Sequence, residues 1–183
     1  DLFRGRLMIP IRNSQGELSG FGARALEEVE PKYLNSPETP IYRKGETLYG
    51  MSWARHAVRR EECAFLVEGY MDVVSLAAHG FENVVALLGT ALTPEQAKLL
   101  SRYTKRTLLL FDSDAAGLKA TFRAGDTLLE AGLHPAVVTL PPGEDPDTVV
   151  RSQGPEALRE YLDQAVDVLD RKLQLLEERD YFS

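Results

Sequence analysis

Cysteine is nearly missing from this chain of 183 residues. Its one thiol, Cys63, can form no internal disulfide, which suits a reducing compartment and points to the cytoplasm. Histidine is almost as scarce: His56, His79 and His134 are scattered without metal-ligand spacing, so no zinc site is expected in this chain. No apolar run approaches membrane-spanning length and nothing resembles a signal peptide, so no membrane partner is expected. Neither a GxGxxG nor a P-loop pattern occurs, and no Ser-His-Asp or Cys-His constellation competes for a catalytic role. Uniform positive charge is lacking too. A formal net charge of −7 argues against nucleic-acid coating over the whole surface.

What is present can bury a core: 44% of residues are hydrophobic and 27% charged, enough for one large domain or two small ones. The charge is uneven. Residues 1–60 carry ten Lys/Arg against seven Asp/Glu, or +3, whereas residues 61–183 carry eleven against twenty-one, or −10. A basic front and an acidic back suggest two jobs in one chain. The start at Asp1, directly in strand-like sequence, gives the expectation of a piece of a longer protein.

The stretch LLLFDSDAAG, Leu108 to Gly117, organises the rest. An unbroken apolar run bounded by a turn fits a strand buried on both faces of a parallel sheet. Asp112 and Asp114 follow it, and an extended backbone across Ser113 would hold them about 7 Å apart, facing the same way. Like charges that close repel unless a cation settles between them, and Mg²⁺ prefers such oxygen ligands. Asp114 also suits the N-cap of the next helix.

Taken in order, residues 6–24 read as a β-hairpin turning at Asn13–Gly16, with Pro10 implying an edge strand or a bulge. Residues 31–50, with three prolines, read as a loop, in which Tyr33 and Tyr42 beside Lys32, Arg43 and Lys44 suit stacking and phosphate contacts. A short helix is expected over 51–60. From residue 63 strands alternate with helices, the signature of a parallel sheet. Strands are expected at 63–67, 83–86, 107–111 and 136–140. Helices are expected at 69–79, from Thr93-Pro94 to about 103, and from 114 to 131. The segment PPGEDPDT reads as a turn, and from Pro155 the spacing is helical, with packing partners expected outside this sequence.

Right-handed crossovers put the carboxyl ends of parallel strands along one edge. Glu68, the pair Asp112 and Asp114, and the group Glu144, Asp145 and Asp147 each follow a strand, and Asp72 sits one helical turn after Glu68. Seven carboxylates from three loops therefore converge on one rim, as a metal-dependent phosphoryl-transfer site needs.

On these segments the chain resembles the catalytic core of bacterial DnaG-type primases. The matching stretches are FRGRLMIPIR, PKYLNSPET, the KG and LYG that follow, LVEGYMDVVSLAAHGFENVVALLGTALT, FDSDAAG and PPGEDPDT. The EGYMD and DSD segments place the acidic half in the wider Toprim group. The resemblance implies an α/β fold: a Toprim-type parallel four-stranded sheet flanked by helices, preceded by a small mixed α/β subdomain with a β-hairpin and followed by C-terminal helices. It implies boundaries at 1–60, 61–153 and 154–183.

It further implies a nucleotidyltransferase that makes RNA primers from ribonucleoside triphosphates on a single-stranded DNA template. Glu68, Asp112 and Asp114 would hold the catalytic Mg²⁺, replaceable by Mn²⁺, with Asp72, Asp145 and Asp147 as further ligands or outer acids. Lys32, Asn35 and Lys44 match positions near the incoming nucleotide and the DNA. Arg4, Arg6 and Arg24 match the template-holding surface. The family's zinc module and its helicase-contacting domain have no counterpart here. Ser113 departs from the glycine more common in the family.

Three alternatives follow from the same residues. A phosphoaspartate phosphatase would use Asp112 as nucleophile. A Toprim nuclease or topoisomerase would, in the latter case, need a tyrosine such as Tyr70, Tyr103 or Tyr181. A non-catalytic DNA-binding module would bind template without metal.

Overall fold

The apolar run after Thr107 lies at the middle of a parallel sheet and explains its layering. A computed structural model describes residues 2–178. In the strand Arg106–Leu110, called β6 by its place in the chain, Leu108 and Leu110 face one core and Leu109 the other. Alternate side chains of a strand point to opposite faces, so a run buried throughout needs cover on both. The strand Cys63–Val67 (β4) is likewise buried at every position and lies beside it in parallel register, Val67 opposite Leu110.

The sheet order is Val84–Ala86 (β5), β4, β6, then His134–Val137 (β7), all parallel, which gives the four expected strands. A two-residue strand, Val166–Asp167 (β8), adds an antiparallel edge to β7. On one face lie the helices Tyr70–Ala78 (α2), Pro146–Gln153 (α5) and Pro155–Asp163 (α6), through Val73, Leu76, Val149, Val150, Leu158 and Leu162. The other face carries Met51–Arg60 (α1), Pro94–Leu100 (α3) and Ala115–Glu130 (α4), through Met51, Val58, Leu100 and Leu128. Val168, which opens α7 (Val168–Glu178), is fully buried. The expectation that the segment after Pro155 packs outside this sequence is therefore corrected for α6, whose Leu158 and Leu162 bury here. Tyr181 and the rest of 179–183 lie outside the described residues.

The first residues form a second, antiparallel sheet of Arg6–Arg12 (β1), Leu18–Ala25 (β2) and Tyr33–Asn35 (β3). Pro10 falls on β1, an edge strand, where a missing N–H is tolerated. The Asn13 side chain closes the hairpin by accepting from the Gln15 and Glu17 amides. Two links tie this sheet to the other. The Tyr70 hydroxyl donates to the Ala23 carbonyl of β2 at 3.1 Å, and the Asn35 side chain on β3 donates to the Leu88 carbonyl just after β5. Among the described residues no helix is long and apolar enough to cross a membrane.

Cys63 is buried at the start of β4, and burial pushes its thiol up to about 11. Thiolate is the reactive form, so the native chain is expected to resist an aromatic disulfide reagent at pH 8 and to react with one equivalent once unfolded in guanidinium. Rapid stoichiometric labelling of the native chain would contradict this burial.

Candidate active site

The carboxylates stand at the carboxyl-terminal edge of the sheet because three strands end there and each hands over to a helix start. Glu68 follows β4, and its Oε1 accepts from the Asp112 amide at 3.2 Å, joining the ends of β4 and β6. Asp114 caps α4, accepting from the Gly117 amide at 2.6 Å. Asp145 caps α5 in the same way from the Thr148 amide, also at 2.6 Å. Asp72, in the first turn of α2, accepts from the Gly69 amide at 3.1 Å. Asp147 lies in the first turn of α5 and pairs with Arg151 at 3.5 Å. Glu144 keeps a buried Oε2 without a hydrogen-bond partner.

Ser113 fastens the two acidic loops together. Its hydroxyl donates to the Glu144 carbonyl at 3.2 Å and accepts from the Gly143 amide at 2.9 Å. A glycine could do neither. Sequence reading could not find this role, since both partners lie some thirty residues away in the chain.

The charges feel one another. Burial raises Asp72 to about 7; the Gly69 amide opposes the shift, and the charges of Asp145, Asp112 and Asp147 add to it. Asp112 is raised by burial first, then by Asp145 and Asp114. Glu68 is raised by burial as well, with Asp112 and Asp114 adding and the Asp112 amide opposing. Among the described residues no three of these side chains stand at metal-ligating spacing. They share a rim without closing on a point. An all-oxygen set of mutually repelling, partly desolvated carboxylates, with one buried oxygen unpaired, has the donor chemistry of a hard divalent cation site.

A cleft of about 330 Å³ joins four of these acids, though not Asp114, Asp147 or Glu144, to the basic front. Glu68, Asp72, Asp112 and Asp145 line it on one side, and Lys32, Tyr33 and Asn35 on the other. Asn35 donates to the Leu88 carbonyl at 3.0 Å and leaves its buried Oδ1 unpartnered. The Tyr33 ring stacks edge-on against Tyr70 and carries Arg24 and Lys32 over its face, each 5.8 Å from its centre. Burial raises its phenol, Arg24 opposes, and Asp72 leads the acids that add.

Not every candidate enters this cleft. Arg24 stands behind Tyr33, and Arg6 reaches the Lys32 carbonyl at 3.4 Å. Arg4 is exposed and lines no part of it. Lys44 sits on a short 3₁₀ turn whose carbonyl accepts from Gln96, also outside the lining. Tyr42, grouped with Tyr33 as a stacking aromatic, is instead a core residue whose hydroxyl burial pushes up to about 12. Tyr70 is buried against Ala23, and the Tyr103 ring lies under Arg59.

Two family models match: one described as "DNA primase catalytic core, N-terminal domain" over residues 1–55, and a Toprim-like one over residues 65–150. The chain belongs to the bacterial DnaG-type primase family. The DNA primase of Clostridium acetobutylicum is 45% identical over 175 residues, covering 94% of this chain and 29% of that relative. The Aquifex aeolicus primase structure, of zinc-binding and RNA polymerase domains, superposes with a TM-score of 0.91 at 42% identity. The match covers 97% of this chain and 44% of that one. A DnaG primase catalytic domain bound to single-stranded DNA gives 0.90 at 42% identity, over 98% of this chain and 57% of the other. This primase-family chain thus spans under a third of the curated relative's length. These matches favour neither the phosphatase nor the nuclease or topoisomerase alternative.

Proposed function

We propose that this chain carries the nucleotidyl-transfer centre of a DNA primase, acting in the cytoplasm on single-stranded DNA. The observation that supports this reading is the single cleft shared by acids of separate loops and by Lys32, Tyr33 and Asn35. Glu68, Asp112 and Asp114 would hold the divalent ions, with Asp72, Asp145 and Asp147 as further ligands or outer acids. Mg²⁺ is the natural occupant and Mn²⁺ its substitute. Such ions, when bound, neutralise charge developing on the attacking and leaving oxygens.

The chain's own side chains supply the rest. Lys32 and Asn35 orient the triphosphate, so that the 3′-hydroxyl of one ribonucleotide faces the α-phosphate of the next and pyrophosphate departs, and Lys44 meets the DNA from outside the cleft. Arg24, Arg4 and Arg6 hold template phosphates. On this reading residues 1–60 bind phosphates, 61–153 carry the acids and 154–183 brace the sheet. Zinc binding and contacts with a replicative helicase fall to separate domains.

The test is primer synthesis by this chain on a single-stranded template with ribonucleoside triphosphates. Mg²⁺ or Mn²⁺ should be required, and EDTA should abolish product while leaving template binding within about twofold, since arginine–phosphate contacts need no metal. Undiminished product in EDTA would end the reading.

A further inference from the structure

A second cleft, of about 820 Å³, opens at the opposite edge of the parallel sheet, where β4, β6 and β7 begin. Strands of five residues rising about 3.3 Å each keep it about 15 Å from the acids. It is no extension of the site above.

Its lining is cationic. Arg59 comes from the end of α1, and Arg102, Lys105 and Arg106 from the passage between α3 and β6. None of the four is in an ion pair with a described residue. Of the nearby acids, Glu61 is already held by Arg60 at 2.9 Å, which leaves Glu62 and Asp167 at the rim. In a chain of net charge −7, four cations without an ion-pair partner among the described residues gather at one hollow with only Glu62 and Asp167 left to offset them, an excess of positive charge that a bound polyanion would balance.

Size and chemistry select among polyanions. Small-molecule sites run to roughly 300–1,000 Å³, which brackets this one. Strand-binding grooves interleave cations with open ring faces, whereas the one aromatic here, Tyr103, has Arg59 over it at 4.7 Å. A run of phosphates needs only forked donors and point charges at short spacing. We propose that this cleft binds a short polyphosphate, free or as the tail of a nucleotide, through Arg59, Arg102, Lys105 and Arg106.

Titration calorimetry of the chain in EDTA, with sodium tripolyphosphate as probe, tests this. The double variant Arg102→Ala/Lys105→Ala, altered at two exposed positions, should melt like the parent and bind about tenfold or more weakly. Lys98→Ala, which removes an exposed cation lining neither cleft, should bind as the parent does. ATP binding tighter than tripolyphosphate, and lost in the same double variant, makes a nucleotide the source; equal affinity makes it the phosphate chain alone. Either supports the proposal. Absent binding, equal binding by parent and double variant, or an equal loss in Lys98→Ala overturns it. So does a single-stranded oligonucleotide that displaces tripolyphosphate and weakens about tenfold in the double variant, since the ligand is then a strand.

Discussion

Asp112→Asn is expected to lower primer synthesis about a thousandfold, roughly 4 kcal/mol of transition-state stabilisation, while single-stranded DNA binding stays within about twofold. Asparagine matches aspartate in shape, and no described hydrogen bond depends on the Asp112 side chain; its backbone amide is the group that donates to Glu68. The substitution therefore removes charge with little disturbance of the fold. It also removes repulsion acting on Glu68 and Asp72, so the melting temperature without metal should hold or rise. Initial rates of primer formation with saturating Mg²⁺, beside a filter-binding isotherm for template, separate the two effects. Retention of full activity would mean that Asp112 is only one more acid on the rim.

Gly117→Ala should be nearly as damaging, for a reason of space. A Cβ at this position would stand 2.1 Å from the Asp112 carbonyl oxygen and 2.9 Å from its carbon, both backbone atoms. Something must shift, and only the start of α4 or the Asp112–Asp114 loop can. Either shift breaks the Gly117 amide contact to Asp114 and moves two acids at once. We expect a loss of about 1–3 kcal/mol in stability and about a hundredfold in primer synthesis. Gly132→Ala is the control. Its backbone lies in the left-handed region, with φ of 74° and open space around the site, so about 1 kcal/mol should be lost with no change in rate per folded molecule. If both variants lose activity only in proportion to their unfolding, the crowding at Gly117 does not set the positions of the acids.

The sequence was most legible where burial is continuous. The strand expected at 63–67 matches β4 residue for residue, because a five-residue apolar run is too short for a buried helix. The Thr93-Pro94 helix start was equally plain, and the side chains of Thr93 and Gln96 do cap each other's backbone. The same signature recurs at Asp145-Pro146, where α5 begins, although glycine, proline and acids give PPGEDPDT the composition of a turn. The fourth strand was placed two residues late: β7 begins at His134, and Pro135 is held within it by pairing to Thr107. β3 escaped notice because three residues carry no periodicity of their own and exist as a strand only through β2. Tyr33 and Tyr42 look alike in a loop of mixed composition, and only tertiary packing sends one to a cleft and the other to the core. The rim of acids followed from strand ends alone. The tie that Ser113 makes between two of its loops did not.

Asp114 and Asp145 each spend one oxygen on the first turn of a helix, at Gly117 and Thr148. That grip freezes both rotamers before any ligand arrives. Much of the conformational entropy that a free aspartate would surrender on gripping an ion has thus been given up already when α4 and α5 form. Readiness to capture an ion at this rim is in that sense a by-product of helix initiation, inherited from folding at no separate cost.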